Sequence, residues 1–362
     1  MSRLTQLQLK GFRCWDELMW SPEGDVHLLL GDNGVGKTSI LEAVYILAQL
    51  SPPQGLRWRE LIPQATDTGF VAGCLSGPSI EDDVRVGFDR QERRFRVGGK
   101  APLSAGHHAQ KHPVVFFRPG DLSLVQGGPR GRRRLLDGIA TALVPEHRDL
   151  MGRYNQALAA RNALLRPQAR GGELLDLWSQ EAARYGAQII AHRARASDAL
   201  TQEVQPAYAS LCAGSEQLTA RYRSSVGLDG PRDALLRLWA TQLGRDRRAG
   251  HTGMGPHAED WELRLDGRNL RQRASQGQQR SAVLACRLAQ VALISSQLGP
   301  PILLLDDIAG ELDDQRSTRL FERLLDGAGQ VLMTGTHNPS NKSFIGRDIA
   351  SYDVKRSQMT RL

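Results

Sequence analysis

The sequence predicts an α/β fold with a mixed sheet, an antiparallel β subdomain and an inserted helical lobe. Residues 26–50 run from a short apolar strand through a glycine-rich turn into a helical pattern, and a second apolar strand lies at 301–305. Residues 68–103 show short strands between turn residues, whereas 131–250 is rich in Ala, Leu, Arg and Gln. We therefore expect both ends of the chain to build one sheet and the middle to form the lobe.

The first apolar strand, Val26 to Leu30, leads into a phosphate-binding loop. Residues 31–38 have the spacing G-x-x-x-x-G-K-T, in which glycines let backbone N–H groups turn inward around phosphates. Lys37 is placed to reach the β- and γ-phosphates, and the Thr38 hydroxyl is placed to ligate Mg²⁺. The following helix aims the positive end of its dipole at the same anion. The predicted ATP-binding residues are Arg13, Gly31, Asp32, Asn33, Gly34, Val35, Gly36, Lys37, Thr38 and Ser39.

Short strands are predicted on both sides of this loop. Leu4 to Lys10 alternates apolar and polar residues, as a half-buried strand does. Arg13 follows it and is expected to reach the nucleotide, with a solvated charge at the strand end as the alternative. Phe70–Leu75, Val84–Phe88 and Arg94–Val97 are separated by turn residues. They predict an antiparallel sheet beside the nucleotide-binding one.

Length and charge restrict the class of protein. The chain has 362 residues, 40% of them hydrophobic, which is enough for two domains with real cores. A formal net charge of +8 indicates attraction to polyanions, nucleic acid first and acidic membrane surfaces second, although solubility alone is the other explanation. The N-terminus has no signal-like apolar region, and no apolar run approaches the length of a bilayer span. We expect a cytoplasmic protein with no membrane partner.

The cysteines and histidines do not predict a metal centre. The four cysteines are far apart and form no C-x-x-C pair, so neither a zinc site nor a disulfide framework is indicated. His107, His108 and His112 cluster, but no carboxylate or cysteine stands at ligand spacing beside them. We therefore expect reduced thiols and no metal site at these histidines.

The middle of the chain predicts the helical lobe. Glu173 to Val204 carries apolar residues at three- and four-residue steps, the pattern of a helix of about 30 residues and ~45 Å. We divide the chain into an N-terminal head part (1–125), a helical lobe (126–250) and a C-terminal head part (251–362). Arginine clusters flank the lobe and are candidates for DNA phosphate contacts, with a solvated helix face as the alternative. The first cluster contributes Arg130, Arg132, Arg133 and Arg134.

Two motifs in the C-terminal part complete the predicted nucleotide site. A small, polar stretch precedes a long amphipathic helix, Ser281 to about Leu298, and resembles an ABC-type signature, with a simple helix cap as the alternative. The strand at 301–305 ends in Asp306 and Asp307, a Walker B pattern. Asp306 is expected to hold the Mg²⁺ shell and Asp307 to orient the attacking water. The signature residues are Ser275, Gln276, Gly277 and Gln278.

Three residues are candidates for sensing the γ-phosphate. Gln126 is the glutamine nearest to the predicted strand Val114–Phe117. Thr336 and His337 follow the predicted strand Val331–Met333, at a carboxyl end where open α/β sheets bind ligands. The sequence does not decide between Thr336 and His337.

With these motifs in this order and spacing, the chain resembles the RecF family of bacterial recombination-mediator ATPases. That family is related to the heads of structural-maintenance-of-chromosomes proteins. The resemblance runs nearly end to end and is weakest between about residues 150 and 240. The matching stretches are FR near the start, GDNGVGKTSILEAVY, VVFFRPGDLSLVQGGPRGRRRLLD, HTGMGPH, SQGQQR and ILLLDDIAGELD.

The resemblance implies an ABC-type ATPase head with a short helical arm. Two protomers would hold ATP between the phosphate loop of one and the signature of the other, so that Ser275 acts across the dimer. The implied function is ATP-dependent binding to DNA at single-strand/double-strand junctions, which helps RecO and RecR load RecA at gaps.

Two positions depart from the pattern of the family, and a third departs from that of many ABC ATPases. Val35 stands where glutamine is usual, and Ala258 where arginine is usual. Asp307 stands where many ABC ATPases have glutamate, and its side chain is one methylene shorter. Because small misplacements of a catalytic group are costly, we expect slow hydrolysis of a switch rather than a motor.

Other classes of function compete with this interpretation. A transporter's nucleotide subunit is disfavoured by the helical insert and the positive charge. A DNA-binding scaffold with structural ATP remains open, and replacement of Asp307 by asparagine distinguishes it from an ATPase. A GTPase is disfavoured because Asn341-Lys342 is not followed by the aspartate that reads guanine.

Overall fold

The computed structural model describes residues 2–53, 55–77, 81–166, 172–212, 214–307, 314–336 and 348–362. The strands are β1 (Arg3–Phe12), β2 (Trp15–Trp20), β3 (Val26–Leu30), β4 (Thr68–Ser76), β5 (Glu81–Asp89), β6 (Arg93–Val97), β7 (Val114–Phe117), β8 (Leu218–Arg223), β9 (Asp260–Leu265), β10 (Arg268–Asn269), β11 (Ile302–Leu305), β12 (Gln330–Gly335), β13 (Ile349–Lys355) and β14 (Gln358–Arg361). The helices are α1 (Lys37–Gln49), α2 (Ala105–Lys111), α3 (Ser123–Gln126), α4 (Pro129–Leu143), α5 (His147–Leu164), α6 (Gly172–Leu211), α7 (Pro231–Ala249), α8 (Leu270–Arg273), α9 (Gln276–Leu298) and α10 (Asp314–Gly327).

A six-stranded sheet is the centre of the molecule. Its order is β14-β13-β3-β12-β11-β7, and all neighbours are parallel except β13 and β14. The N-terminal β3 lies between β12 and β13 from the other end of the chain, which confirms that both ends build one sheet. The inner strands are buried on both faces, as continuous apolar runs require.

The antiparallel subdomain is confirmed as a five-stranded sheet of order β2-β1-β4-β5-β6. Alternate apolar residues of β1, such as Leu7 and Leu9, share a core with Ile40 and Val44 of α1. The helix after the phosphate loop is therefore clamped between the two sheets. The opposite face of the central sheet packs against α4, α6, α9 and α10.

The long helix is confirmed and extends past the predicted range. It runs from Gly172 to Leu211, which is 40 residues or ~60 Å. Its first half packs with α5 and α7 in a core of its own, whereas its second half joins the core of α4 and α9. The lobe boundaries at 126 and 250 stay a prediction, and α4 packs as part of the head.

The interpretation of 131–250 as helices throughout is wrong at β8. Leu218–Arg223 pairs antiparallel with β9, Thr219 opposite Arg264. Leu218 is buried, and the arginines at 221 and 223 are exposed, a period-two alternation across six residues. The average composition of a 120-residue stretch conceals so short a pattern.

Helix α9 corrects the expectation that no run is long enough to span a bilayer. Gln276–Leu298 is long and apolar enough by length and composition. However, 67% of its most apolar window is buried in the protein. Its apolar character is that of a core helix packed on the central sheet.

The histidine cluster has a carboxylate partner that sequence spacing did not reveal. Asp82 of β5 accepts hydrogen bonds from His112 Nε2 at 2.7 Å and Lys111 Nζ at 2.6 Å. His108 Nε2 lies 2.8 Å from the carbonyl of Leu47. Since Lys111 occupies the same oxygen of Asp82 as His112, the cluster is a hydrogen-bond network that ties α2 to β5 and α1.

Candidate nucleotide-binding site

The candidate site lies at the carboxyl ends of β3, β11 and β12, three neighbouring parallel strands. β3 ends at Leu30 before the glycine-rich loop, and β11 ends at Leu305 before two aspartates. Because the carboxyl ends of parallel strands meet at one edge, motifs from both halves of the chain converge there. Thr38 and Asp306 are 268 positions apart in the sequence and in hydrogen-bond contact.

The glycines of the phosphate loop are required by its geometry. Gly36 has φ of 107° as the N-cap of α1. A Cβ atom there would lie 2.5 Å from Cys14 Sγ and 2.6 Å from Trp15 Nε1. The indole of Trp15 also donates a hydrogen bond to the carbonyl of Gly36 at 3.0 Å. The second strand of the subdomain therefore fixes the loop, and Gly36 is the residue that permits the approach.

Lys37 begins α1 and points back over the loop. Its Nζ donates to the carbonyls of Gly31 at 2.6 Å and Asp32 at 2.7 Å. Burial lowers the pKa of Lys37, while the carboxylates of Asp306 and Asp307 act in the opposite direction. The ammonium group is thus held at the loop, next to the carboxylates of the neighbouring strand.

Asp306 joins three elements through its side chain. Its Oδ1 accepts hydrogen bonds from Thr38 Oγ1 and from Thr334 Oγ1, both at 2.8 Å. Burial raises the pKa of Asp306, and the two hydroxyls oppose that shift. A threonine hydroxyl beside a carboxylate is a hard oxygen donor set, which fits Mg²⁺. Thr38 and Asp306 are therefore the residues that would hold the ion.

Asp307 differs from its neighbour in backbone and exposure. It has φ of 48°, in the left-handed region that few non-glycine residues adopt. Its backbone N–H donates to Thr334 Oγ1 at 3.0 Å, which leaves its exposed carboxylate at the mouth of the site. Strained backbone of this kind concentrates at functional sites.

One pocket of about 630 Å³ contains these groups, within the size range of small-ligand sites. It includes the predicted residues Arg13, Asn33, Gly34, Gly36, Lys37, Thr38, Ser39, Asp306 and Asp307. It also includes residues that sequence reasoning missed: Cys14, Glu42, Glu60, Ile62, Pro63, Gln64, Pro119 and Thr334. Glu42 and Pro119 belong to stretches that match the family and Thr334 follows a predicted strand, but no pattern in the sequence assigned these residues to the pocket.

Arg13 lies at this pocket in a fixed orientation. Its guanidinium makes a two-point contact with Glu42 of α1, at 2.9 and 3.0 Å, and a third hydrogen bond to the carbonyl of Glu60. Burial raises the pKa of Glu42, and Arg13 opposes that shift. Direct contact between Arg13 and nucleotide stays a prediction.

The signature residues lie outside this pocket. Ser275 is the N-cap of α9: its Oγ accepts from Gln278 N at 3.2 Å, and Gln278 Oε1 accepts from Ser275 N at 2.7 Å. Ser275 and Gln276 are exposed. The first turn of α9 therefore presents free backbone N–H groups to solvent rather than to the phosphate loop of the same chain.

The candidate γ-phosphate sensors have different positions. Gln126 donates to Gln279 Oε1 at 2.9 Å, beside α9, and does not line the pocket. Thr336 is exposed just past the end of β12, and His337 lies outside the described residues. Thr334, two residues before Thr336 and within β12, is the residue of this segment that contacts Asp306.

The arginine cluster of α4 divides into buried and accessible residues. Arg132 is buried and forms a two-point ion pair with Asp260, at 2.7 and 2.9 Å, so it is removed from the DNA candidates. Arg133 is half-buried and donates to the carbonyl of Glu259. Arg130 is exposed, and Arg134 is half-buried. A helix of period 3.6 turns successive residues to different faces, so a run of arginines cannot form one surface.

Comparisons with known proteins identify relatives along the whole chain. No family model matches. A DNA replication and repair protein RecF from Desulforudis audaxviator is 36% identical, with 92% of this chain and 94% of the relative covered. RecF from Anaeromyxobacter sp. strain Fw109-5 is also 36% identical, with 99% of both chains covered.

Solved structures give the same assignment. The recombination mediator protein RecF with ATP, of the RecFOR pathway, has a TM-score of 0.90 and 26% identity, covering 100% of this chain and 98% of that one. The Smc head domain from Pyrococcus furiosus has a TM-score of 0.56 and 16% identity, which shows a shared ABC-type ATPase fold. Relatives of this identity and coverage show that the chain belongs to the RecF family of DNA replication and repair proteins.

Proposed function

We propose that this chain is an ATP-dependent DNA-binding protein of recombinational repair. Two copies would close around ATP and clamp gapped DNA or single-strand/double-strand junctions, where they help RecO and RecR load RecA. Slow ATP hydrolysis would act as the release switch. The proposal joins the RecF family membership to a site with a phosphate loop, an oxygen-rich Mg²⁺ position and a separate signature.

The position of the signature carries the dimer step. Ser275 and Gln276 are exposed at the start of α9, while the pocket of the same chain is lined by the phosphate loop and the strand ends. Unpaired N–H groups at a helix start bind anions. A second copy can therefore bring its α9 over the γ-phosphate, and ATP then stabilises the dimer because it binds both protomers.

Within each site we assign the following roles. Lys37 moves from the loop carbonyls to the β- and γ-phosphates, and Thr38 with Asp306 holds Mg²⁺, which neutralises phosphate charge when bound. Asp307 accepts a proton from the attacking water or orients it. Its short side chain and strained backbone favour slow turnover.

The DNA contact is proposed to be electrostatic. The chain carries a net charge of +8, and pairing two copies doubles the total charge that attracts DNA. Arg130 remains an exposed candidate on α4, and Arg134, one turn later, is a half-buried one. Each phosphate contact adds to the salt dependence of binding, so affinity should fall steeply with added salt.

Fluorescence anisotropy of a labelled duplex with a single-stranded tail, titrated in ATP and in ADP, tests the clamp. We expect tighter binding in ATP, and loss of that difference in Ser275→Arg because the bulky cation blocks the interface. Ser104→Arg is the matched control, since Ser104 caps α2 in the same way, away from the site. Equal binding in both nucleotides, or equal loss in both variants, would refute the clamp.

A further inference from the structure

A second cavity lies beside β7, between α1, α2, α4 and α9. Its volume is about 100 Å³, and it shares no lining residue with the nucleotide pocket. Its lining includes apolar side chains, among them Val114, Leu135 and Ile294. It also includes polar and cationic side chains, namely Tyr45, Gln49, Arg118, Arg134, Thr141, Arg287 and Gln290.

The three arginines that line the cavity differ in their partners. Arg287 is neutralised by a two-point ion pair with Asp121, at 2.9 and 2.8 Å. Arg118 lies with its guanidinium carbon 5.4 Å from the centre of the Phe116 ring. Within the part of the chain that the structure describes, Arg134 makes no ion pair or hydrogen bond. Its guanidinium is therefore available to an acceptor that enters the cavity.

The neighbours of Arg134 add positive charge around it. Burial lowers the pKa of Arg134, and the positive charges of Arg130 and Arg118 lower it further. Tyr45 also lines the cavity and adds a hydroxyl that makes no hydrogen bond with the described residues. Arg134 and Tyr45 therefore offer uncommitted hydrogen-bond donors to a ligand in the cavity.

We propose that this cavity binds a small tetrahedral oxyanion, of the phosphate or sulfate class, with Arg134 as the principal donor and Arg118 and Tyr45 beside it. Charge-assisted hydrogen bonds from a planar guanidinium are the strong interactions of such sites. A volume of about 100 Å³ exceeds the ~10–15 Å³ that one water needs by the same measure, so the cavity has room for a small ligand. The proposal does not depend on the DNA clamp.

Isothermal titration of the full chain with inorganic phosphate, with sulfate and with chloride at equal ionic strength tests the site. We expect heat from one or both oxyanions but none from chloride, and the stronger of the two identifies the preferred ligand. Oxyanion at about ten times its Kd should also raise the thermal midpoint by about 2–4 °C. No oxyanion binding, or equal effects of all three salts, would overturn the proposal.

Four variants locate the binding. Arg134→Gln should weaken it by about tenfold, whereas Arg130→Gln removes the same charge one turn earlier, outside the cavity, and should retain it. Gly138 lines the mouth and has open space at its Cβ position, so Gly138→Leu should plug the cavity without changing charge. Lys37→Ala should still bind, because it disables only the phosphate loop.

The variants also distinguish anion binding in the cavity from anion binding at the phosphate loop. Binding that survives Arg134→Gln and Gly138→Leu but disappears in Lys37→Ala would place the anion at the phosphate loop and overturn the proposal. If Arg134→Gln does not fold, Gly138→Leu tests the proposal instead. This variant should fold, because leucine has a higher helix propensity than glycine.

Discussion

At the scale of single residues, two adjacent carboxylates have different environments and different expected roles. Asp306 is buried and accepts hydrogen bonds from Thr38 and Thr334. Asp307 is exposed, with its backbone in the left-handed region. Burial and hydroxyl partners suit the first to an ion, whereas access to solvent suits the second to a water molecule.

Replacement of Asp307 by asparagine separates catalysis from binding. Asparagine has the same shape and tolerates positive φ, so only the charge changes. We expect ATP turnover to fall about 100-fold or more, as for loss of a general base, with ATP affinity little changed. Single-turnover hydrolysis and equilibrium nucleotide binding measure the two quantities. Unchanged turnover would favour the scaffold with structural ATP over the ATPase.

Arg132 and Arg130 are two positions apart on α4. Replacement of Arg132 should affect stability, whereas replacement of Arg130 should affect DNA binding. Arg132→Ala removes the two-point partner of the partly exposed Asp260 and should lower the free energy of unfolding by about 2 kcal/mol, as for hydrogen bonds to a charged group. Arg130→Ala should leave stability unchanged and weaken DNA binding. Urea denaturation measures the stability of both variants, and fluorescence anisotropy measures their DNA affinity. Equal stability of the two variants would contradict the buried ion pair.

At the scale of elements, α9 has two separate tasks. Its apolar face packs on the central sheet, and its first turn is exposed as the candidate signature. The reciprocal hydrogen bonds of Ser275 and Gln278 fix where the helix begins. The helix starts at Gln276, five residues before the start at Ser281 that the apolar pattern predicted. The cap, rather than the apolar pattern, determines the N-terminus of the helix.

The capping contribution of Ser275 is measurable in the absence of nucleotide. Ser275→Ala should lower the free energy of unfolding by about 1 kcal/mol, and Ser275→Asn should preserve it, because asparagine is an equally good N-cap. Urea unfolding of both variants gives the comparison. If alanine and asparagine are equally stable, the capping box does not form in solution.

At the scale of the whole molecule, buried neutral histidines make stability depend on pH. Burial lowers the pKa of His27 and of His108 to about 4, from 6.5. Between these values the unfolded chain binds more protons than the folded one, so stability rises with pH. The contribution is complete above pH 6.5 and is lost as the pH falls towards 4.

Each of these histidines should cost about 2 kcal/mol of folding stability when the pH falls from 7.5 to about 5. Urea denaturation across this range measures the slope. His108→Gln should remove the contribution of this histidine to the slope of stability against pH, while the glutamine amide still reaches the Leu47 carbonyl. Replacement of the exposed His107 by glutamine is the control. A slope that His108→Gln does not reduce would contradict the buried neutral form.

Local sequence determined the elements and motifs of this protein. The phosphate loop, the buried strands before it and before Asp306, and the antiparallel strands are each encoded by consecutive residues. Their spacing and period alone carry the information. The same reasoning failed at β8, where the pairing partner β9 lies about 40 residues away in the chain and decides that Leu218–Arg223 is a strand.

Only the tertiary structure decided which side chains act together. It brought Thr334 to Asp306, Glu42 to Arg13 and Asp82 to His112, and it buried Arg132 while it left Arg130 exposed. These relations join residues far apart in sequence, or distinguish neighbours by the face of a helix that meets the core. The sequence by itself determined what chemistry the chain possesses, and long-range packing decided where each group can use it.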